Sequence, residues 1–505
     1  MQTISKDAIY EAVRDAIPRL ACELPDDVAR ALRAANADEQ SPFACRALGM
    51  LVENERIARE DGMPLCQDTG TVWVCLEVGS DVAIAGDVLS RVDEAVAEAY
   101  NAARLRKSVV CDALTDRANT QTNAPAFMEI RTVNEPGVAR LHIMLKGGGS
   151  DNASRVTMLV PGAGRQGIID EVLACVRLKG ANACPPLVIG IGIGATFDKV
   201  AGLAKHALMR KIGTPAADEE VAAFERELLD AVNASGVGAG GLGGMHTALA
   251  VHIETAPCHI AALPLAINMG CSALRRCTID LVAEAAGQGV CGDAEDAQDA
   301  KEVQPEQAAQ ASKDVQANQE ALCGQAQPAI EGRRIGLPVS RGELATLRAG
   351  DVCLLTGDIF TLRDAGHIRL LSELEEQGSL PYGLDGQIIF YAGPTPEKDG
   401  RPFGAIGPTT ASRMDFATPA LLRAGIVATI GKGPRNDAVR EACIETGSVY
   451  FASVGGAAAF LAKCVDSSRT LGYDDLGTEA LRRIHVTDFP VFVALDVQGN
   501  DIYSV

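Results

Sequence analysis

Aromatic side chains and positive charge are both scarce in this chain of 505 residues. Aromatic residues make up 4% of the sequence, with one tryptophan, while hydrophobic residues in total reach 47% and glycine occurs 51 times. The hydrophobic cores must therefore be built mainly from aliphatic side chains. The formal net charge of −20 argues against binding to nucleic acid or to anionic membranes, because neither polyanion gains from an acidic surface.

The sequence also has no apolar run close to the ~20 residues of a transmembrane helix, and its first residues lack the basic head and apolar core of a signal peptide. Its 15 cysteines include no CxxC pair, which disfavours zinc ribbons and thioredoxin-like redox sites. So many cysteines without an export signal indicate reduced thiols, and we expect a cytoplasmic protein. Three separated cysteines can still ligate an iron–sulfur cluster.

The length predicts at least two domains, because single hydrophobic cores stop growing well below 505 residues. Helical periodicity followed by apolar strands predicts a large mixed α+β domain over residues 1–290. Residues 291–330 are rich in Ala, Gln, Glu and Asp and predict a polar linker. Strands separated by helical stretches over residues 331–505 predict a compact α/β domain. The predicted fold class is therefore α/β, in two domains joined by a polar linker.

The most informative stretch is residues 62–71, which read GMPLCQDTGT. Cys66 lies beside Gln67 and Asp68 on a turn bounded by Pro and Gly, and an apolar run that predicts a buried strand follows at once. A soft metal ligand next to a carboxylate allows metal binding and proton transfer in one pocket. A lone cysteine in this setting is by default a small buried hydrophobe, so the rest of the chain must decide.

Two further cysteines have a similar setting, because Cys184 precedes an apolar run and Cys271 follows one. Three thiolates can hold three irons of a four-iron cluster and leave the fourth iron open as a Lewis acid. The residues alone do not select these three from the 15 cysteines, and Cys277 competes with Cys271.

A series of ordered motifs resembles the class I, iron–sulfur fumarate hydratases and the related L(+)-tartrate dehydratases. The resemblance runs from near residue 55 to the C-terminus apart from the linker, which looks like a tether between regions that relatives carry as two subunits or as one more closely joined chain. The motifs are GMPLCQDTGT (62–71), LRKSVV (105–110), NTQTNAP (119–125), KGGGS (146–150), NMGCSALRR (268–276), GDIFTLRDAGH (357–367), GPTTASRMD (407–415) and GKG (431–433).

The resemblance implies that Cys66, Cys184 and Cys271 ligate a [4Fe-4S] cluster with one open iron site. It implies proton-transfer roles for Asp68 and Thr409. It also implies substrate contacts from both domains, made by Gln67, Arg106, Gly149, His259, Arg363, Arg413 and Lys432. Outside these motifs an isolated Arg is usually a surface ion-pair residue, and His259 would by default be a hydrogen-bonded core histidine.

The implied substrate is a C4 dicarboxylate, whose two carboxylates need cations, and Arg offers bidentate contacts to each. The resemblance therefore predicts a hydro-lyase, fumarate hydratase, which interconverts (S)-malate and fumarate plus water. The alternative is L(+)-tartrate dehydratase, which forms oxaloacetate. An iron–sulfur sensor or scaffold is the rival from a different class, but a sensor needs no cations around Asp68. The partner suggested by the resemblance is a second copy of the chain, in a homodimer.

Overall fold

The computed structural model describes residues 3–115, 117–281 and 330–503. The predicted linker, residues 291–330, therefore lies outside the described residues except for its last position, and the domain division at 290 and 331 stays a prediction. Every sheet of the described chain is formed wholly before or wholly after this gap. The mixture of helices and sheets confirms the predicted α/β fold class.

The N-terminal region begins with helices that form much of its outer layer. Ser5 caps the first helix, because its hydroxyl accepts a hydrogen bond from the Ala8 N–H. Gly62 ends the third helix in the left-handed conformation, with φ of 61°, and so begins the 62–71 loop. The helices are α1 (Lys6–Cys22), α2 (Asp26–Asp38), α3 (Pro42–Asp61), α4 (Val92–Ala102), α5 (Gly148–Asp151), α6 (Gly164–Lys179), α7 (Phe197–Ala207) and α8 (Glu219–Asn233).

Two four-stranded sheets form the centre of this region. Their strands, with a short parallel pair formed by β1 and β3, are β1 (Thr3–Ile4), β2 (Thr71–Gly79), β3 (Ala83–Ile84), β4 (Phe127–Val133), β5 (Ala139–Lys146), β6 (Arg155–Leu159), β7 (Leu187–Ala195), β8 (Ala248–Cys258), β9 (Leu263–Gly270) and β10 (Arg275–Asp280). The first sheet has the order β10-β5-β2-β4, and the second has the order β6-β9-β7-β8. Residues 72–79 of β2 are all buried, as its apolar sequence predicts.

The C-terminal region is an α/β unit in which five of the strands pair in a closed ring. Its helices are α9 (Arg341–Leu344), α10 (Ala365–Gln377), α11 (Thr418–Ala424), α12 (Asp437–Thr446) and α13 (Ala458–Lys463). Its strands are β11 (Arg333–Gly336), β12 (Val352–Thr361), β13 (Ile388–Phe390), β14 (Ala428–Gly431), β15 (Val449–Ala452), β16 (Val465–Gly472) and β17 (Leu481–Leu495). Strands β12 to β15 are parallel neighbours, and β17 pairs antiparallel with both β15 and β12, so the pairings return to their first strand.

The two regions share one hydrophobic core, in which α3 packs against α13 and the Phe43 ring of α3 lies 6.4 Å from the Phe492 ring of β17. A buried side chain reinforces this contact: the Asn54 carbonyl accepts hydrogen bonds from the N–H groups of Ala459 and Phe460 at 2.8 and 3.0 Å. It therefore caps α13 of the other region. Each region therefore covers apolar surface of the other. This packing fixes the positions of the loops at the junction relative to one another.

Several element boundaries differ from the sequence-based prediction. A helix was predicted from about residue 84 to 103, but β3 occupies Ala83–Ile84 and α4 begins only at Val92. Helix α7 also ends at Ala207, short of the predicted 212. None of the described helices is both long and apolar enough to cross a bilayer.

Candidate active site

Cys66, Cys184 and Cys271 converge at the junction of the two regions. Each follows or precedes a central strand, because Cys66 leads towards β2, Cys184 towards β7, and Cys271 directly follows β9. The N–H of Ser272 donates to the Cys184 carbonyl at 3.0 Å, which joins two of the loops. The Arg275 guanidinium donates to the Asp68 carbonyl at 2.9 Å, which connects the loop of Cys66 to the segment that follows Cys271.

The three cysteines lie close enough for their charges to interact. Burial raises the pKa of the Cys66 thiol to about 11, and the neighbouring Asp68, Cys184 and Cys271 charges add to that rise. Burial likewise raises the pKa of Cys184, although Lys432 opposes it. Adjacent buried thiols that hinder one another's ionisation fit a site where a metal supplies the balancing charge, because metal ligands must be thiolates.

The spacing of these sulfur atoms discriminates between kinds of metal site. Within the described residues, only Glu77, His142 and His206 form a set of three ligand atoms all within 4.8 Å of one another. The three cysteine sulfurs are therefore spread more widely. A single ion with metal–sulfur bonds of about 2.3 Å would need each pair of sulfurs within roughly 4.6 Å, so the set fits a polynuclear cluster better than one ion.

Asp68 is held as a carboxylate beside this site. It forms an ion pair with Arg106 at 2.9 Å and accepts backbone N–H bonds from Gly148 at 2.8 Å and Gly70 at 3.1 Å. Burial alone would raise the pKa of Asp68, but the charges of Arg106 and Arg275 and these N–H groups lower it to about 2. Asp68 is therefore held as a carboxylate near neutral pH.

Three guanidinium groups gather on the side of the C-terminal region. Arg106 donates to the Gly393 carbonyl at 2.9 Å, and a Cβ added at Gly393 would lie 2.6 Å from Nε of Arg363. Arg413 forms an ion pair with Asp364. Burial lowers the pKa of Arg363 to about 10, with further lowering from Arg106 and Arg413. Arg363 also forms an ion pair with Glu479 at 3.3 Å. Its lowered pKa shows that this partner does not offset burial and the neighbouring like charges, so an anion bound here would stabilise the guanidinium.

Lys432 connects the cysteines with the C-terminal loops. Its ammonium donates to the Cys184 sulfur at 2.6 Å, and its backbone N–H donates to the Thr409 carbonyl at 3.1 Å. A Cβ at Gly149 would lie 3.3 Å from Nζ of Lys432, so glycine leaves room there for the ammonium and a ligand. The Gln67 amide donates to the Pro408 carbonyl at 3.4 Å, which places Gln67 against the loop that carries Thr409.

His259 is the one named residue that the structure does not bring to this junction. It lies in the exposed turn between β8 and β9, where its Nδ1 accepts from the N–H of Ala261 at 3.1 Å. Cys271 lies at the other end of β9, so the full length of that strand separates the two. Its default interpretation as a core histidine also fails, because the turn is exposed.

The sequence reasoning assigned no role to two buried cations of the site. Arg275 is 1% exposed, and its Nε and one terminal nitrogen are buried without a hydrogen-bond partner. Lys146 is 3% exposed, and burial lowers its pKa to about 8. Both residues belong to the quoted motifs NMGCSALRR and KGGGS, so the signal was present in the sequence.

The fold and the site define a chain of two packed α/β regions with a cysteine-lined, cation-rich cleft between them. The family model described as fumarate hydratase (Fumerase) matches residues 10–280, and the one described as fumarase C-terminus matches residues 297–505. This chain belongs to the class I fumarate hydratase family.

Two relatives named as fumarate hydratases match most of the chain, and a third relative matches its N-terminal region. The aerobic class I fumarate hydratase of Escherichia coli (strain K12) is 30% identical over 517 residues, which cover 98% of this chain and 88% of that protein. The mitochondrial fumarate hydratase 1 of Leishmania major is 30% identical over 474 residues, or 90% and 82% of the two chains. A Methanocaldococcus jannaschii protein provisionally named L(+)-tartrate dehydratase subunit alpha is 40% identical over 276 residues, or 54% and 95%.

Proposed function

We propose that this chain is an iron–sulfur hydro-lyase that interconverts (S)-malate and fumarate plus water. The observation that carries the proposal is the meeting of three cysteines, an ionised Asp68 and a group of guanidiniums in one cleft. Full-length relatives named fumarate hydratase support the same reaction. A dicarboxylate would bind beside these guanidiniums through charge-assisted hydrogen bonds.

Cys66, Cys184 and Cys271 are the proposed ligands of a [4Fe-4S] cluster. When bound, such a cluster with one open iron supplies a Lewis acid for a substrate oxygen. Lys432 would remain close to the thiolates, since its ammonium already donates to Cys184. Gly455 leaves the space that the site needs, because a Cβ there would lie 2.4 Å from the Cys184 sulfur.

The substrate carboxylates would be bound by the cations of the cleft. Arg363 and Arg413 approach from the C-terminal region and Arg106 from the N-terminal region, so a bound dianion would bridge the two. Lys432 and the open space at Gly149 would contact the remaining polar groups. The pairing of Arg413 with Asp364 orients its fork at the mouth of the site.

Proton transfer is proposed for Asp68 and Thr409. Asp68 is a carboxylate near neutral pH, held by Arg106 and two backbone N–H groups, so its position is fixed when it accepts a proton. Thr409 approaches from the opposite region, on a backbone that pairs with Lys432.

L(+)-tartrate dehydratase is the second candidate, supported by the 40% identical relative that spans the N-terminal region. Steady-state kinetics of the anaerobically purified, cluster-replete chain with (S)-malate, fumarate and L(+)-tartrate would separate the two. We expect turnover of malate and fumarate at a higher kcat/KM than tartrate. A higher kcat/KM for tartrate would favour the second candidate, and a fully loaded protein that converts none of the three would favour a sensor.

A homodimer in the cytoplasm is proposed as the working form. No cysteine of the described residues forms a disulfide, as expected of a reducing compartment. The edge strands β4 and β6 expose apolar side chains that a second copy would cover, namely Phe127, Met128, Ile130, Val156 and Met158. For His259 we propose contact with the substrate of the second copy, because its exposed turn lies far from the cysteines of its own chain. Light scattering would test the dimer.

A further inference from the structure

A second cluster of metal-ligating side chains lies away from the cysteines. Nε2 of His142 lies 3.1 Å from one Glu77 carboxylate oxygen, and Nε2 of His206 lies 2.9 Å from the other. These three ligand atoms all lie within 4.8 Å of one another. The side chains of Glu77 and His142 are each 7% exposed and that of His206 is 17% exposed, so the cluster is almost closed to solvent.

The outer contacts of both imidazoles leave the inward nitrogens available. Nδ1 of His206 pairs with the Glu254 carboxylate, and Nδ1 of His142 lies 2.8 Å from the Thr278 hydroxyl. In protein metal sites the imidazole typically donates its other N–H to a carboxylate or another oxygen, which fixes the tautomer and directs the lone pair at the metal. Both histidines of this cluster show that arrangement.

The inward nitrogens are also poorly placed for ordinary hydrogen bonds. Both Nε2 atoms are buried, and despite their short distances to Glu77 neither forms a hydrogen bond of acceptable geometry. Ligand atoms in a tetrahedral zinc site are roughly 3.3 Å apart, given bonds of about 2.0 Å. The 3.1 and 2.9 Å separations join the two imidazoles to different oxygens of Glu77. One ligand atom from each of the three residues lies within 4.8 Å of the others, which leaves all three within reach of one ion.

We propose that Glu77, His142 and His206 form a divalent transition-metal site, separate from the three-cysteine site, that takes Zn²⁺ or Fe²⁺. Two imidazoles and a carboxylate are ligands that both ions accept. The fourth position would be open to water, beside Glu254. His142 lies four residues along β5 from Lys146 of the active site, which is roughly 13 Å at about 3.3 Å per residue. A metal at this distance would not touch the substrate, so its role would be structural.

The metal would join parts of the fold that carry the active site. Glu77 lies on β2 and His142 on the neighbouring β5, while His206 lies on α7 and Glu254 on β8 of the second sheet. The first sheet leads to the Asp68 and Gly147 loops, and the second sheet leads to Cys184 and Cys271. A metal here would therefore fix the position of one sheet relative to the other.

A proton is the competing occupant of this cluster. Glu77 and Glu254 face one nearby cation, Arg131, which lies 4.0 Å from Glu77 and 3.8 Å from Glu254. A further positive charge is needed, and a protonated His206 would also supply it. Burial lowers the pKa of His206, but the neighbouring Glu254 and Glu77 carboxylates raise it to about 9. A bound metal predicts metal in addition to the cluster, whereas a protonated His206 predicts none.

Metal analysis of the anaerobically purified full chain separates these two occupants. Iron, zinc and acid-labile sulfide would be measured together, because sulfide counts the cluster and reveals any iron beyond it. We expect about one equivalent of zinc or extra iron per chain. His142→Gln and His206→Gln should lose this equivalent, keep their sulfide, and unfold at a lower Tm than the wild type.

His252→Gln is the matched control, since His252 is a buried histidine of β8 outside the cluster. It should retain the extra metal. A wild-type chain that holds no metal beyond the cluster after incubation with Zn²⁺ or Fe²⁺ would overturn the proposal, as would variants that retain the equivalent. If the variants do not fold, anomalous diffraction from wild-type crystals decides: a peak between Glu77 and the two histidines supports the site, and no peak refutes it.

Discussion

Single residues of the cleft derive their properties from buried charge. Arg363 is buried near two other guanidiniums, and its lowered pKa reflects the free-energy cost of keeping that charge away from water. Asp68 is buried beside two guanidiniums, and its pKa falls instead. The three guanidiniums each have a carboxylate partner, namely Asp68 for Arg106, Asp364 for Arg413 and Glu479 for Arg363. The lowered pKa of Arg363 shows that its partner does not fully offset its burial, which favours an anionic ligand beside it.

The role of Arg413 can be tested by Arg413→Lys, which keeps the charge but removes the planar fork. We expect kcat/KM for malate to fall roughly ten- to a hundredfold, because one charge-assisted hydrogen bond is worth about 1.5–3 kcal/mol. The cluster spectrum should be unchanged. Arg423→Lys is the control, since Arg423 pairs with Glu445 on the surface. Arg413 is itself 46% exposed, so a variant with wild-type kinetics would identify it as an ordinary surface ion pair.

The ligand set can be tested by replacing cysteines one at a time. Cys66→Ser, Cys184→Ser and Cys271→Ser should each lose the cluster, because serine is a poor ligand for iron in place of a soft thiolate. Cys277→Ser should keep it, since Cys277 lies within β10 and packs against a separate hydrophobic core. Iron, sulfide and visible absorbance of anaerobically purified protein are the measurements. If the Cys271→Ser protein kept a full cluster and its activity, the third ligand would have to be another cysteine.

Secondary-structure elements bring the site together by their ends. Helix α3 ends at Gly62, where the loop that carries Cys66 and Asp68 begins. Strand β2 follows this loop and lies in the core. The other cysteines occupy equivalent positions, before β7 and after β9. Because the strands are buried and rigid while their ends are irregular, the loops place polar groups with precision at one edge. The elements must stay docked for this to hold.

The docking of α2 onto β10 depends on one buried ion pair. Asp27 accepts hydrogen bonds from Arg276 at 2.6 Å and from the Ile212 N–H at 2.7 Å. Asp27→Asn leaves the Arg276 charge buried without its partner, so the free energy of unfolding should fall by about 3–5 kcal/mol at pH 7. Denaturant unfolding measures this, and Asp26→Asn, at an exposed neighbour, is the control.

The same pair predicts a pH dependence. Burial raises the pKa of Asp27, but Arg276 and the backbone N–H groups lower it below the ordinary value. The stabilisation is therefore fully present above the unfolded pKa of about 3.9 and is lost as the pH falls through the folded pKa. The difference between wild type and Asp27→Asn should narrow below about pH 4. A constant difference from pH 7 to pH 3 would mean that the charge of Asp27 is not the cause.

The whole molecule is held by a core that both regions build together. Helix α3 packs against α13 and places Phe43 against Phe492 of β17, and Asn54 of α3 caps α13. Salt bridges from Asp61 to Arg401 and Lys463 surround this contact. The junction is thus extensive and partly apolar, which is typical of regions that associate stably.

A chain cut within residues 300–325 should therefore reassemble. The polar sequence there predicts few lost contacts, and the shared core favours association of the two co-expressed pieces. We expect them to copurify and to recover most of the hydratase activity. Asn54→Ala should weaken their association, whereas Asn101→Ala, at an exposed position of α4, should not. Pieces that fold separately but never associate would show that the covalent connection is needed.

The sequence by itself determined the fold class and many of the buried strands. Apolar runs predict β2 and β7, since a fully buried strand needs apolar side chains on both faces. Residues 266–271 read as a turn that carries Cys271, whereas the structure has β9 there. Five predicted strands of the C-terminal region are present, although β12 and β17 extend beyond the predicted segments. The edge strands β4 and β6 were not predicted, because their exposed faces carry a mixed pattern that resembles loops.

Only the tertiary structure decided which distant residues meet. It placed His259 in an exposed turn and Arg275 at Asp68, and it brought Glu77, His142 and His206 together from a strand, its neighbour and a helix. Periodicity reports whether a side chain faces a core, but it does not report which other segment lies opposite. That choice is made when the two sheets pack, because burial of their apolar faces fixes the contacts between residues far apart in the chain.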